Sequence, residues 1–406
     1  YSGPGWVQSA ITLGGGSLSG ALFLGILGGT SLLWLQLVAI IMGVIMLSAI
    51  SYITLSTGKR PFQAINEHIN PALGWGWIIA TIAANMLWCM PQFSLCFAAL
   101  QKNLVGGEAI GDSTGAKLGI SAVILVVAFF FLKMNESGSK AGKFFDIFLK
   151  VLVGAIVLCF FAVVLLLSSS GEVKWGEIFK GFIPNPGHWT TPTGEMAELL
   201  KKLPEASQEF WTNLVVKQQR AIMIGAAATA VGINMTFLLP YNLLGKGWNK
   251  SFRGISRFDL CTALAIPYIL ATSCVVIASA SMFHGKYDPG LLDSTQVTKA
   301  THALKVDYKK GISARAVKVI DAEELGVAEK NQEDFDKKVA DRKKALTKEL
   351  KKEKLSTEDW KKEVEANPSL GKLGPWYDLV NKKVPETERQ LSAMLLKRNA
   401  FQLSAA

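Results

Sequence analysis

Seven stretches of this chain are long, apolar and almost free of charge: 6–29, 32–56, 73–100, 118–133, 144–168, 220–245 and 259–283. A helix needs about 20 apolar residues to cross the hydrocarbon of a bilayer. Only structures that satisfy their own backbone N–H and C=O groups can do so. The expected fold class is therefore an all-α membrane protein with about seven spans.

Composition sets this part apart from the rest. Half of all residues are hydrophobic and the mean hydropathy is +0.29, yet from His284 onward the chain turns lysine- and glutamate-rich, as in "KNQEDFDKKVADRKKALTKELKKEKLSTEDWKKEVE". The expected division is a transmembrane bundle over 1–283, with an outer loop at 169–218, and a charged, mostly helical segment over 284–406. That segment reads as a loop insertion before further spans, or as an arm that binds a protein partner. Within it, helices are expected over 315–330 and 331–366, a break over 367–375, and an amphipathic helix from Glu386 that reaches Ala406 uncapped, as if the chain went on. In the outer loop, "EMAELLKKLPEASQEFWTNLV" is expected to form one surface helix, with Leu199, Leu200 and Leu203 on its apolar face.

The formal charge of +11 is mainly a topology signal. Lys59 and Arg60, then Lys133, Lys140 and Lys143, then Lys246, Lys250, Arg253 and Arg257 fall in alternate loops; the loop with Lys102, Glu108, Asp112 and Lys117 is mixed in sign. The positive-inside rule puts the N-terminus in the cytoplasm and 169–218 and 284–406 on the outer face of a cytoplasmic (inner or plasma) membrane. The expected partners are membrane lipid and a small ion or solute, with no role for nucleic acid. Cys89, Cys96, Cys159, Cys261 and Cys274 all lie in apolar spans and read as small core residues without disulfides. His68, His188, His284 and His302 form no metal pattern. No phosphate-binding loop or hydrolytic triad is present, so no enzyme, catalytic residue, cofactor or resident metal is expected.

Two spans carry breaks. In the first, Leu13 is followed by Gly14, Gly15, Gly16 and Ser17, and each glycine costs a helix interior roughly 1 kcal/mol relative to alanine. In the sixth, Gly232, Asn234 and Thr236 precede Pro240, which predicts unwinding over 234–239 and a restart at Pro240 or Tyr241. Paired discontinuous helices at corresponding places point to a transporter with inverted repeats and a midplane site. The candidate substrate-binding residues are Gly14, Gly15, Gly16, Ser17, Gln92, Asn234, Thr236, Tyr241 and Asn242.

"GPGWVQSAITLGGGS" and "LLPYNLL" resemble the NRAMP family of divalent-metal transporters, which have the LeuT-type inverted-repeat fold. The family's opening Gly-Pro-Gly and aromatic residue match Gly3, Pro4, Gly5 and Trp6; its Asp-Pro-Gly-Asn falls on Gly14, Gly15, Gly16 and Ser17; its Met-Pro-His-Asn-Leu falls on Leu239, Pro240, Tyr241, Asn242 and Leu243. "KFFD", Lys143 to Asp146, is similar to the entry to span five. The resemblance implies a LeuT-like bundle whose second repeat is incomplete after seven spans, working by alternating access. It also implies that the metal-binding aspartate has become Gly14, the asparagine Ser17, the methionine Leu239 and the histidine Tyr241. A thioether favours soft metals, and a carboxylate supplies countercharge. The sequence therefore leaves three readings: a metal transporter with altered ligands, a transporter of a small neutral or anionic organic solute, and a transport-inactive membrane subunit.

Overall fold

The computed structural model describes residues 3–101, 113–136, 140–292, 299–349 and 372–396. Among them the regular elements are helical, and seven stretches are long and apolar enough to cross a membrane: Gly15–Leu32, Trp34–Thr57, Pro71–Ala99, Thr114–Phe131, Gly142–Ser169, Ser207–Gly245 and Lys250–Phe283. The protein is thus an all-α membrane protein. Its described residues fall into two compact units, one drawn from Tyr1–Leu22, Leu32–Pro184 and Ile222–Ala278, the other from Phe23–Ser31, Asn185–Ala221 and Ser279–Ala406.

The first unit opens with a broken span, α1 (Gly5–Thr12) and α2 (Gly15–Gly28), parted at Leu13 and Gly14. α3 (Trp34–Thr57) ends where Gly58 takes φ +66, the left-handed cap that favours glycine. α4 (Pro61–His68) and α5 (Pro71–Ala99) both start on proline, and the Asn70 side-chain oxygen caps α5 by accepting from Ala72 N–H at 2.8 Å. α6 (Thr114–Glu136), α7 (Lys140–Ser169) and α8 (Trp175–Gly181) follow. Farther along, α10 (Glu205–Ala228), of which the part from Ile222 lies in this unit, and α11 (Ile233–Gly245) make the second broken span; α9 (Gly194–Lys201) belongs to the second unit. α12 (Arg253–Asp259) runs through a π-helical turn, Leu260–Ala265, into α13 (Ile266–Phe283).

The core of this unit gathers around both breaks: Leu13, Ala230 and Met235 are buried with Ile40, Leu47, Leu239, Leu264 and Tyr268. Outward, α5, α6 and α7 present Ile79, Ile82, Phe129 and Leu158, the apolar surface that lipid requires. Cys89, Cys96, Cys159 and Cys261 are on such faces and only Cys274 is buried, which corrects their reading as core residues. Apolar periodicity does not separate lipid from protein, because both are apolar. Gly43 of α3 sits where an added Cβ would collide with the Val231 side chain. Gly43→Ala is expected to cost about 1–3 kcal/mol by overpacking, read as a lower melting temperature in detergent.

Three expectations about helix ends are corrected. The sixth span unwinds at 229–232 and is helical from Ile233 through Gly245, with Pro240 inside α11. Thr229, Val231 and Gly232 are poor helix formers in close succession, and Gly232 is extended (φ −92, ψ 165). Pro240 removes a donor and crowds the carbonyl four residues back, and α11 accommodates both without unwinding. The stretch 195–215 is not one helix: α9 stops at Lys201 and Pro204 directly precedes α10. The helices expected over 315–330 and 331–366 are α14 (Lys299–Val319) and α15 (Ala322–Glu349), divided where Asp321 accepts from Glu323 N–H at 2.9 Å. Residues 350–371, which include most of the break expected over 367–375, and 397–406 lie outside the described residues.

The second unit has its own core. Leu304, Tyr308, Ile312, Ala316 and Ile320 form an every-fourth-residue stripe on α14 and its end, packed on Trp376, Tyr377 and Val380 of α16 (Pro375–Lys383) and Ala393 of α17 (Glu386–Met394). Burial raises the Tyr308 and Tyr377 phenols above their usual range. Glu388 is fully buried and accepts from Trp211 Nε1 at 2.8 Å and from Arg315 Nε at 2.5 Å and Nη2 at 3.1 Å.

Candidate functional site

The two breaks of the first unit face each other. Ser17, in the first turn of α2, donates to the Thr229 carbonyl at 2.7 Å. Thr12, the last residue of α1, donates through Oγ1 to the Ala230 carbonyl at 3.3 Å and lies 3.1 Å from the Met235 sulfur. Hydroxyls from one broken span thus satisfy carbonyls freed by the other, which is how irregular backbone is tolerated at membrane depth. Gly16 belongs to the same contact, since an added Cβ would sit 3.8 Å from Thr229 Cγ2. α5 closes another side: a Cβ on Gly15 would stand 3.3 Å from Gln92 Oε1, and one on Gly232 would stand 3.5 Å from the Trp88 ring.

Of the residues singled out from sequence, Gly14, Gly15, Gly16, Ser17, Gln92 and Asn234 therefore lie at or beside the breaks. Asn234 Oδ1 accepts from Met235 N–H at 2.9 Å, and Thr236 Oγ1 donates to the Ile233 carbonyl at 2.6 Å, so both serve the first turn of α11. Tyr241 and Asn242 lie farther along α11, about 14 and 15 Å from Gly232 at about 1.5 Å per residue. Tyr241 stacks on Phe237 at 4.9 Å and carries Arg60 over its ring at 4.6 Å, beside the start of α4. Asn242 Nδ2 is buried without a hydrogen-bond partner.

The residues missed from sequence are Thr12, Met235 and the carbonyls of Thr229 and Ala230. Their signal was Gly232, overshadowed by the proline eight residues on. Asp259 was missed as well: it is buried at the end of α12 and accepts from Gly3 and Gly5 N–H. Among the described residues no three His, Cys, Asp or Glu side chains gather as a metal site. The groups at the breaks are hydroxyls, carbonyls, an amide and a thioether.

An all-α membrane bundle with two discontinuous spans meeting through their unwound segments is the architecture expected of a transporter core. Residues 5–314 match the natural resistance-associated macrophage protein-like family, Nramp, and the chain belongs to that family. Among curated relatives it is similar to the metal transporter Nramp2 of Oryza sativa subsp. japonica, 26% identical over 164 residues, 39% of this chain and 29% of the relative. It is also similar to the Nramp2 and Nramp3.2 metal transporters of Populus trichocarpa, each 28% identical over 163 residues, 39% of this chain and 28% and 30% of those relatives. The matched stretch spans less than a third of each relative's length.

Proposed function

We propose that the chain transports a divalent metal ion by alternating access at a site between the two breaks. The observation that carries this reading is the meeting of Thr12 Oγ1 with the Ala230 carbonyl and the Met235 sulfur. A thioether beside hard oxygens suits a soft transition ion better than magnesium, so Met235 stands in for the ligand lost at Leu239. In this reading the bundle is LeuT-like, with α1–α2 and α10–α11 as the paired broken helices of two repeats. The transmembrane part is 1–283, its N-terminus cytoplasmic, and 284–406 is an outer segment that offers a surface to a protein partner.

A second reading draws on a specific feature, the lack of a carboxylate at the breaks. A divalent ion there would have no formal countercharge, a heavy electrostatic cost. The first turn of α2, Gly15 to Ser17, with Gln92 beside it, suits a small neutral or anionic organic solute instead. A transport-inactive subunit is the third reading.

Uptake of Mn²⁺ and Mg²⁺ into proteoliposomes, with calorimetric titration of both ions and a panel of amino acids, separates them. Met235→Leu conserves volume and is expected to lower Mn²⁺ uptake about tenfold while leaving Mg²⁺ little changed. Amino-acid binding without metal binding would move the assignment to the second reading, and no binding at all to the third.

A further inference from the structure

The outward face of α3 changes chemistry along its length. Met42, Ile45, Ala49, Tyr52 and Ser56 follow at spacings of three and four and are all exposed, so they form one stripe that starts apolar and ends on a phenol and a hydroxyl. An aromatic ring with a polar tip belongs at the level where hydrocarbon meets headgroups. α12 packs on α3 within the same unit. Arg253 stands 4.8 Å over the Tyr52 ring and donates through Nη1 to Ser56 Oγ at 3.2 Å and through Nε to the Lys250 carbonyl at 3.1 Å. Arg257, one turn on, stands 5.9 Å over the same ring.

Two like charges a turn apart repel, and the face of a tyrosine offsets only part of that. Among the described residues neither guanidinium meets a carboxylate. Asp259, the one acidic residue of α12, is buried and turned to the Gly3 and Gly5 N–H groups. Glu67 of α4 pairs with Lys59, and Asp146 of α7 with Lys246. The corner thus carries two arginines on one exposed ring, at the edge of the membrane, with no anion from the chain itself.

We propose that this corner binds one anionic phospholipid, its phosphate between Arg253 and Arg257 and an acyl chain along the stripe from Ala49 to Met42. A guanidinium meets phosphate oxygens with paired hydrogen bonds, which an ammonium does not offer. Ser56 and the Lys250 carbonyl hold Arg253 in place before the lipid arrives. The stripe selects a lipid over a free phosphate, since an amphiphile satisfies the charged corner and the apolar face at once. Phosphatidylcholine carries the same phosphate but brings a cation to a corner that already has two, so phosphatidylglycerol is preferred.

The test is native mass spectrometry of the full chain in a neutral detergent, where no membrane surface charge acts. It is titrated with dioleoyl phosphatidylglycerol, dioleoyl phosphatidylcholine or glycerol 3-phosphate. The wild type is expected to take a first phosphatidylglycerol about tenfold more tightly than phosphatidylcholine, and glycerol 3-phosphate should not displace it. Arg257→Gln should weaken phosphatidylglycerol about fivefold. Arg253→Lys with Arg257→Lys, which keeps the charge and loses the forks, should weaken it about threefold, and Lys143→Gln on α7 should change nothing. Equal binding of the two lipids overturns the site, as does an unchanged affinity in Arg257→Gln or a loss shared by Lys143→Gln. Displacement by glycerol 3-phosphate at matching concentration would make the ligand a free phosphate and overturn the lipid assignment. Arg257 is exposed and makes no hydrogen bond among the described residues, so Arg257→Gln decides even if the Arg253 variant does not fold.

Discussion

Glu388→Ala is expected to destabilise the second unit by about 3–5 kcal/mol, the cost of leaving a buried partner charge unmatched. The carboxylate is fully buried, and its loss strands the Arg315 guanidinium, 14% exposed, together with the Trp211 indole N–H. Replacing both ends with apolar residues, Glu388→Met with Arg315→Met, should recover most of the loss, because a buried pair gains little over a hydrophobic one of similar volume. Hydrogen exchange of the α14 amides in the full chain reads this directly.

The pH dependence of the same pair has a definite sign. Burial pushes the Glu388 carboxyl up, but hydrogen bonds from Arg315, Trp211 and Ser207 with the Arg315 charge outweigh it and hold the carboxyl below its usual range. The unfolded chain therefore binds this proton more readily than the folded one. The stabilisation is complete above the unfolded value of about 4.3 and is lost as pH falls through the lowered folded value. Wild-type protection in α14 should drop more steeply than that of the double variant as pH falls below about 4.

Gly194→Ala is the second large effect. Gly194 has φ +61, and an added Cβ would run into the His284 ring. His284 Nε2 accepts from Glu195 N–H at 2.9 Å, so Nδ1 carries the proton and donates to the Ile26 carbonyl at 2.9 Å. The left-handed backbone costs an alanine about 1–2 kcal/mol, and disturbing the two His284 bonds, one buried and one part-buried, adds about 1 kcal/mol each. A loss of about 3–4 kcal/mol is expected, measured as faster exchange in α9. Gly171→Ala, at φ +77 with nothing within 4 Å of its Cβ position, is the control that carries the backbone strain alone.

The spans were legible because lipid allows one solution to the backbone, and hydropathy reports it. The first break was legible in place but not in extent: the glycine run marks it, yet the chain is non-helical only at Leu13 and Gly14, and Gly15, Gly16 and Ser17 already form the first turn of α2. The second was misplaced because Pro240 is the louder signal, whereas the structure breaks at Thr229 to Gly232, where β-branched residues and a glycine share the cost. Tyr241 and Asn242 were then carried to the site by a motif that follows the proline. Thr12 and Met235 could not be read locally, since their meeting depends on how two spans cross. The stripe from Leu304 to Ile320 was present in the sequence but hidden in a segment whose charge density reads as solvated. Asp259 stands at the edge of its span, and only the fold shows that Gly3 and Gly5 reach it.

Juxtaposition of the two breaks is tested most directly by cross-linking. A Cβ on Gly20 of α2 would lie 3.8 Å from the Ala226 Cβ of α10, the spacing of a disulfide. With the five native cysteines replaced, Gly20→Cys with Ala226→Cys is expected to form an intramolecular disulfide under mild oxidation in membranes, while Gly20→Cys with Tyr241→Cys does not. No cross-link in the first pair, or one formed as readily in the second, would contradict a site built from both breaks.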